Sequence, residues 1–365
     1  MNFSLKRLEL IDTLSTLIKI VPNRTTLPIL STVFIKTTEN GLLLRTTDLE
    51  VDMECLVDAE VLEQGEVCVP IGKLFEIGNS ILAEDLSINV NETQRMRIKT
   101  STGKYTVMCQ KTEEYPEKRD LGENKLNISA QFLNESIKAT SYACSKDELK
   151  PSLNGVLFDI KTGSITAVAT DAHRLVRYVV KQKNDKTEQI LIPNKFLSIV
   201  SMGPINTKKA SLEIFGNYVL IKDERKKITS RLITEKFPDY ESVIPEENPN
   251  TTKLETKNFL NVIRRVSLMS NKTTKQVVVK LTKNKTTITS EDHETGGAAL
   301  DEIESEHTGE ECTIGFNAAL LIEILKNQTT KEINLLTNTA LSAAIIKKVG
   351  ETETETTTLL MPIRI

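Results

Sequence analysis

The chain has 365 residues, of which 39% are hydrophobic and 27% charged, a composition typical of a globular protein with two or three domains. Its 47 basic and 50 acidic side chains give a net charge of −3, so the basic excess of a simple nucleic-acid-binding protein is lacking, although a locally basic face is compatible with this balance. Five scattered cysteines argue against a disulfide framework and a structural zinc site. With no signal-peptide pattern at the N-terminus and no apolar run near the roughly 20 residues that span a bilayer, we expect a cytoplasmic protein.

Three amphipathic helices are predicted at a regular interval along the chain. They begin near Ser4, Ser129 and Glu255, and each follows a short strand-like stretch, at 1–3, 125–128 and 252–254. Apolar residues at helical spacing predict the buried faces of the first and third helices: Leu10, Leu14, Leu17 and Ile18 in the first, and Phe259, Ile263, Val266 and Leu268 or Met269 in the third.

Two further landmarks recur with the same period. Alternating strands end in a hydroxyl residue and a carboxylate at Asp48, Asp171 and Glu291, which lie about 120 residues apart. A strand that runs into a second apolar helix recurs around Val69, Ile192 and Ile314, and further strands follow. The pattern predicts an α+β fold of three repeated domains, each with antiparallel sheets and two helices, at residues 1–122, 126–248 and 251–365.

Several stretches make the chain resemble the bacterial DNA polymerase III beta subunit family, the sliding clamps, over its whole length. They are RTTLPIL (24–30), LNGVLFDI (153–160), VATDAHRLV (168–176), FPDYESVIP (237–245), IGFNAALL (314–321) and the ending LLMPIRI. The resemblance implies three clamp-type domains that form half of a closed ring, completed head to tail by a second copy around duplex DNA. It further implies a processivity factor without catalytic activity, cofactor or metal, which tethers the polymerase III alpha subunit, the clamp loader and repair proteins.

Three sets of residues follow from the resemblance. The first is a pocket between the second and third domains that binds short peptides of partner proteins: Leu153, Thr170, His173, Arg174, Leu175, Pro238, Val243, Asn317, Leu320, Ser342, Leu359, Leu360, Met361, Pro362, Ile363 and Arg364. The second set faces DNA: Arg24, Lys73, Lys138, Lys146, Lys150, Lys195, Arg264 and Arg265. The third lies at the dimer interface: Tyr105, Val107, Leu268 and Met269. Pro362 is expected to keep the terminal strand at a sheet edge.

The stretch ATDAHRLV (169–176) admits two interpretations. Asp171, His173 and Arg174 within four residues suggest the centre of a hydrolase, but a triad also needs a nucleophile, and no G-x-S-x-G motif is present. The Thr-Asp pair recurs near Asp48 without the histidine, so we interpret it as a turn that bonds its own backbone. For the function of the whole chain, the alternative to a clamp that encircles DNA is a clamp-like adaptor that binds peptides without encircling DNA.

The chain departs from the family pattern at three places. Ser242 stands where some members carry arginine, and Pro151 and Ser152 stand where some members place aromatic residues that touch DNA. The first predicted helix, which would line the ring, carries two acids, Glu9 and Asp12.

Overall fold

The computed structural model describes residues 1–22, 24–118, 120–122, 126–182, 187–203, 211–350 and 354–365. The chain forms two compact units. Unit 1 consists of Met1–Asn134 and Lys195–Leu232, and unit 2 consists of Glu135–Asn194 and Ile233–Ile365. No helix in the described ranges combines the length and the apolar character needed to cross a membrane.

Helices and strands follow the predicted order in each repeat. The helices are α1 (Arg7–Leu17), α2 (Ile71–Ser80), α3 (Ala130–Thr140), α4 (Asn194–Ser201), α5 (Thr256–Val266) and α6 (Ala318–Lys326). The strands of the first repeat are β1 (Asn2–Lys6), β2 (Thr32–Thr38), β3 (Gly41–Thr47), β4 (Val51–Val57), β5 (Glu60–Glu63), β6 (Glu66–Pro70), β7 (Asp85–Val90), β8 (Arg95–Lys99) and β9 (Lys104–Met108).

The other two repeats have the same arrangement. The strands of the second are β10 (Leu126–Ser129), β11 (Gly155–Lys161), β12 (Ser164–Thr170), β13 (Arg174–Lys181), β14 (Glu188–Pro193), β15 (Ser211–Phe215), β16 (Tyr218–Lys222) and β17 (Lys226–Arg231). Those of the third are β18 (Asn250–Glu255), β19 (Gln276–Thr282), β20 (Lys285–Asp292), β21 (Gly297–Glu304), β22 (Glu306–Thr308), β23 (Cys312–Asn317), β24 (Glu332–Thr337), β25 (Ala344–Lys348) and β26 (Thr354–Leu360).

The helix boundaries differ from the sequence prediction in two places. Strand β1 pairs with β7 as far as Lys6, and Phe3 and Leu5 are buried between more exposed neighbours, so α1 begins at Arg7 rather than near Ser4. Helix α5 ends at Val266, so the placement of Leu268 or Met269 on its buried face is wrong: their side chains are 77% and 45% exposed. Lys125, in the predicted second strand-like stretch, lies outside the described residues.

Unit 1 contains two antiparallel sheets. The smaller has the order β5-β1-β7-β8-β9, and the larger has the order β10-β15-β16-β17-β4-β3-β2-β6. The larger sheet joins two repeats, because β17 of the second repeat pairs with β4 of the first, from Lys226 opposite Cys55 to Ser230 opposite Val51. Leu10, Leu14 and Leu17 of α1 are buried, as predicted.

Unit 2 has the same plan. A nine-stranded sheet runs β14-β11-β12-β13-β26-β25-β24-β18-β22, and a four-stranded sheet runs β21-β20-β19-β23. The last strand, β26, lies inside the nine-stranded sheet between β13 and β25, so the expectation that Pro362 keeps it at an edge is wrong. Pro362 follows the strand, where it interrupts no ladder of hydrogen bonds.

The two large sheets explain why the units do not follow the repeats. Strands of the second repeat belong partly to the eight-stranded and partly to the nine-stranded sheet, so the division between units passes through that repeat. The prediction of antiparallel sheets and two helices per repeat is confirmed, whereas the sharing of sheets between repeats was not predicted. The three domain ranges stay a prediction.

Candidate functional site

A cleft of about 470 Å³ opens in unit 2 beside the junction of β13 and β26. Its volume is within the usual range for small-molecule sites. Eight of the predicted pocket residues line it: Leu153, Thr170, Arg174, Leu175, Pro238, Val243, Leu359 and Met361. Five residues that were not predicted line it as well: Ala172, Asp239, Tyr240, Pro245 and Ala343.

The other predicted pocket residues do not line the cleft. Leu360 is buried in the core of the third repeat, against which Leu320 also packs. Asn317 caps α6 by accepting the backbone N–H groups of Ala319 and Leu320. The Ser342 hydroxyl oxygen accepts a hydrogen bond from the backbone N–H of Thr339. The side chain of His173 is exposed.

The last three predicted residues, Pro362, Ile363 and Arg364, follow β26, and Ile363 forms an isolated β-bridge with Gly315 of β23. The Ile363 N–H donates to the Gly315 carbonyl at 2.8 Å, and a Cβ at Gly315 would lie 2.6 Å from the Ile363 carbonyl oxygen. Only glycine allows this close approach, so Gly315 permits the C-terminal segment to pack against β23.

The Thr-Asp stretch forms a self-bonded turn, as the sequence predicted. The Asp171 carboxylate accepts the backbone N–H groups of His173 and Arg174, both at 2.9 Å, and the Thr170 hydroxyl donates to the Arg174 carbonyl at 2.6 Å. Ala172 takes the left-handed conformation with φ +75°.

The first repeat builds the same turn around its own Thr-Asp pair, Thr47 and Asp48. The Asp48 carboxylate accepts the backbone N–H groups of Glu50 and Val51 at 2.9 and 2.7 Å. The Thr47 hydroxyl donates to the Val51 carbonyl, and Leu49 takes the left-handed conformation with φ +76°. The two repeats thus share one hydrogen-bond pattern around a Thr-Asp pair, which is part of the fold.

The third repeat departs from that pattern. The acid that organises the β20–β21 turn is Asp292, whose carboxylate accepts the Glu294 N–H at 3.2 Å and the Thr295 hydroxyl at 2.7 Å. Glu291, the carboxylate of the recurring sequence pattern, is exposed on β20 and does not organise this turn. Hydrogen bonds from Thr295 and Asn271 hold the pKa of Asp292 below its usual value.

Arg174 is the most strongly bonded side chain of the cleft wall. Only 5% of it is exposed, and its guanidinium lies 3.0 Å from Asp171 Oδ2 and 2.9 Å from Glu323 Oε2 of α6. It also donates to the Tyr142 carbonyl at 2.6 Å and lies 5.3 Å from the centre of the Tyr142 ring. Its positive charge is therefore balanced by two carboxylates within the unit.

Residues 237–247 form the opposite wall of the cleft, and a buried hydrogen bond and two ion pairs hold this segment in place. The Tyr240 ring faces the cleft, and its hydroxyl donates to Asp159 Oδ2 at 2.7 Å. Asp159 is 2% exposed and also lies 3.2 Å from Lys161 Nζ, which pairs with Glu241 at 2.9 Å. Burial, followed by the hydrogen bond to Asp159, raises the pKa of Tyr240. The tyrosine of FPDYESVIP could have indicated this contact from the sequence, because a buried tyrosine hydroxyl usually has a hydrogen-bond partner.

The hydrolase interpretation finds no support in the geometry of the turn. Both oxygens of Asp171 are occupied, one by backbone N–H groups and the other by Arg174, so this carboxylate does not orient the His173 ring. Within the described ranges there is no cluster of three or more histidine, cysteine or acidic side chains that could hold a metal ion.

The residues predicted to face DNA are exposed in both units. In unit 1, Lys73 pairs with Glu76 at 3.1 Å, Lys195 pairs with Asp48, and Arg24 has no ion pair to a described residue. The Glu9 carboxylate of α1 pairs with Arg225 at 3.2 Å, which neutralises one of the two acids that seemed out of place on this helix.

In unit 2, the predicted cations differ in how far they are already paired. Lys138, Lys146 and Arg264 are exposed and form no ion pair with the described residues. Lys150 lies 4.0 Å from Asp147, and Arg265 is held by Asp301 at 2.6 Å, which lowers the pKa of that carboxyl.

Within the described part of the chain, each unit presents a sheet edge without a partner strand, beside exposed apolar side chains. In unit 1 the edge strand is β9, with Tyr105 at 38% and Met108 at 58% exposure, whereas Val107 is 5% exposed and points inward. In unit 2 the edge strand is β21, and Leu268, Met269 and Leu300 are exposed beside it. Leu300 and Met108 were not predicted, because neither stretch shows an unusual pattern in sequence.

Comparison with known proteins covers the whole chain. Sequence profiles of the DNA polymerase III beta subunit match three consecutive segments: the N-terminal domain at 1–119, the central domain at 127–239 and the C-terminal domain at 241–364. Proteins named beta sliding clamp from Haemophilus influenzae and Pseudomonas putida are 27% and 26% identical, with full coverage of both chains in each comparison.

Solved structures show the same similarity. The sliding clamp of Pseudomonas aeruginosa bound to griselimycin has a TM-score of 0.91 at 25% identity, with full coverage of both chains. The clamp of Bartonella birtlesii, also bound to griselimycin, has a TM-score of 0.93 at 24% identity and shares the fold. With three domain profiles matched in order along its length, the chain belongs to the DNA polymerase III beta subunit family, the bacterial sliding clamps.

Proposed function

We propose that two copies of this chain form a head-to-tail ring that encircles duplex DNA and holds the replicative polymerase on it. The observation that carries the proposal is the ordered match of three clamp domains across residues 1–364. In this role the protein is a non-catalytic, cytoplasmic subunit of the polymerase holoenzyme, and its partners are duplex DNA, the polymerase alpha subunit, the clamp loader and repair proteins.

The two exposed sheet edges support the head-to-tail contact. An open edge offers unpaired backbone groups, and natural proteins usually cover such an edge. The face next to β9 carries Arg95, Arg97 and Lys99, all exposed. Strand β21 carries the exposed Glu304, together with Asp301 and Glu302, which Arg265 and Lys285 already pair within the unit. Pairing β9 of one copy with β21 of the other would join opposite charges and cover Tyr105 and Leu268. This contact is heterologous, and it closes into a ring when both ends of each copy are used.

The dimer is tested by light scattering after gel filtration. We expect a mass about twice the 40.8 kDa of the chain. Leu268→Asp places a charge in the covered apolar patch and should reduce the mass to that of one chain. Leu149→Asp alters a side chain that is 90% exposed elsewhere in unit 2 and should leave the dimer intact. A wild-type monomer at micromolar concentration would overturn the proposed ring.

DNA binding should be electrostatic and independent of sequence, because the candidate residues are lysines and arginines on exposed surface. Arg264→Gln should weaken retention on duplex DNA and lower the salt dependence by about one counterion, since one phosphate is no longer neutralised. Lys253→Gln is a matched control, since that lysine is already paired with Glu332 at 3.0 Å. Equal effects of the two substitutions would favour the adaptor that binds peptides without encircling DNA.

The cleft in unit 2 is the proposed docking site for partner peptides. Its apolar lining and its placement against the C-terminal segment support this role. Griselimycin, which is bound in the two solved clamps described above, is a suitable probe. We expect calorimetric binding that Val243→Asp abolishes and Leu341→Asp preserves, since Val243 lines the cleft and Leu341 does not. Unchanged binding to Val243→Asp would place the probe elsewhere.

A further inference from the structure

The charge of the cleft is set by very few side chains. Among the described residues, only two charged side chains line it, Arg174 and Asp239. The remaining lining residues are mostly apolar, among them Leu153, Leu175 and Leu359. The free charge of these two groups therefore decides which peptide side chains the rim attracts.

Arg174 contributes little free positive charge. It is 5% exposed, and the carboxylates of Asp171 and Glu323 lie 3.0 and 2.9 Å from its guanidinium. A hydrogen bond to the Tyr142 carbonyl occupies the other terminal nitrogen. An incoming peptide carboxylate would have to compete with two carboxylates already in place.

Asp239 is in the opposite situation. Its side chain is exposed, and no described basic residue forms an ion pair with it. Ser242, which stands where some family members carry arginine, turns its hydroxyl back to the Asp239 carbonyl at 2.9 Å. Glu241 of the same wall, by contrast, is balanced by Lys161 at 2.9 Å.

The wall as a whole is acidic. Residues 237–247 include four carboxylates, Asp239, Glu241, Glu246 and Glu247, and no lysine or arginine. Arg364 lies at the far end of the C-terminal segment, where its carbonyl accepts the Gln276 side chain, and it does not line the cleft. The rim thus presents a negative charge at Asp239 that no described neighbour balances.

We propose that the cleft selects peptides whose apolar anchor is flanked by lysine or arginine and discriminates against peptides with an acidic flank, through Asp239. The inference rests on the proposed docking of partner peptides in this cleft and specifies their charge. Because Asp239 is exposed, the effect is that of a surface ion pair, about twofold to fivefold in Kd for each charge. Added salt should reduce it.

The test uses three fluorescein-labelled peptides that share a central pair of leucines, chosen for the apolar lining of the cleft, and carry lysine, glutamine or glutamate on both sides. Fluorescence anisotropy with the full chain at low salt should give the lowest Kd for the lysine peptide and the highest for the glutamate peptide. Asp239→Asn should bring the three values together, and Asp239→Lys should reverse their order. Glu246→Gln, which removes an exposed carboxylate of the same wall outside the lining, should preserve the wild-type order.

The outcomes separate this inference from the proposed function. Binding of all three peptides with equal Kd, or a preference that persists in Asp239→Asn, overturns the charge selection and leaves peptide docking in place. Failure of all three to bind, with griselimycin also unbound, overturns the docking site and the selection together.

Discussion

Replacing Arg174 by alanine should destabilise unit 2 more than any other single loss of charge in the cleft. The substitution removes ion pairs at 3.0 Å to Asp171 and at 2.9 Å to Glu323, and a hydrogen bond at 2.6 Å to the Tyr142 carbonyl. Removing one partner of a buried ion pair typically costs about 3–5 kcal/mol, because the remaining charge is left unpaired. Glu323 is 43% exposed and can be rehydrated, so the lower limit applies, about 3 kcal/mol.

The assay is urea denaturation followed by circular dichroism, with Arg177→Ala as control. Arg177 belongs to the same strand, is 30% exposed and has one long ion pair, 4.0 Å from Glu355, so its loss should cost at most about 1 kcal/mol. The Arg174 variant should also bind cleft ligands more weakly, since the guanidinium holds the turn that forms the wall. If the two alanine variants have the same free energy of unfolding, the reasoning is refuted.

Three further predictions concern side chains buried or strained within the fold. Ala172→Gly should raise the free energy of unfolding by about 1 kcal/mol in urea titrations, because φ +75° is unfavourable for alanine; a decrease would contradict the assigned strain. Tyr240→Phe removes a buried hydrogen bond to Asp159 and should cost about 1–2 kcal/mol in the same titration, whereas an unchanged midpoint would speak against the anchor. Burial raises the pKa of Cys68 and Cys144 to about 12, so both thiols stay protonated at pH 8 and should react with a disulfide reagent only after denaturation; rapid labelling of the native protein would contradict this.

The repeat was readable in the sequence because its landmarks are local. A helix with a buried face shows its 3.6-residue period in one short segment, and the turns at Asp48 and Asp171 are each marked by a Thr-Asp pair directly after a strand. The turn at Asp292 was missed because its partners, Thr295 and Asn271, come from outside that pattern.

The parts that the sequence did not predict depend on contacts between distant segments. The pairing of β17 with β4 joins residues about 170 positions apart, and no local pattern indicates which strand will lie beside which. Likewise, Asp239 and Tyr240 line the cleft only because the buried Asp159, some 80 residues earlier, fixes the wall from behind. Residues of the C-terminal segment were assigned to the cleft as a group, whereas the structure brings Leu359 and Met361 to it and turns Leu360 into the core.

The central claim is that the protein is linked to DNA by encircling it, and the most direct measurement compares closed and open DNA. The protein is loaded onto nicked circular duplex, separated from free protein by gel filtration, and then followed after a single cut by a restriction enzyme. We predict that the chain stays on the circle through the column and leaves within minutes of linearisation, because a ring slides off a free end. Equal retention on circular and linear DNA would contradict the encircling ring.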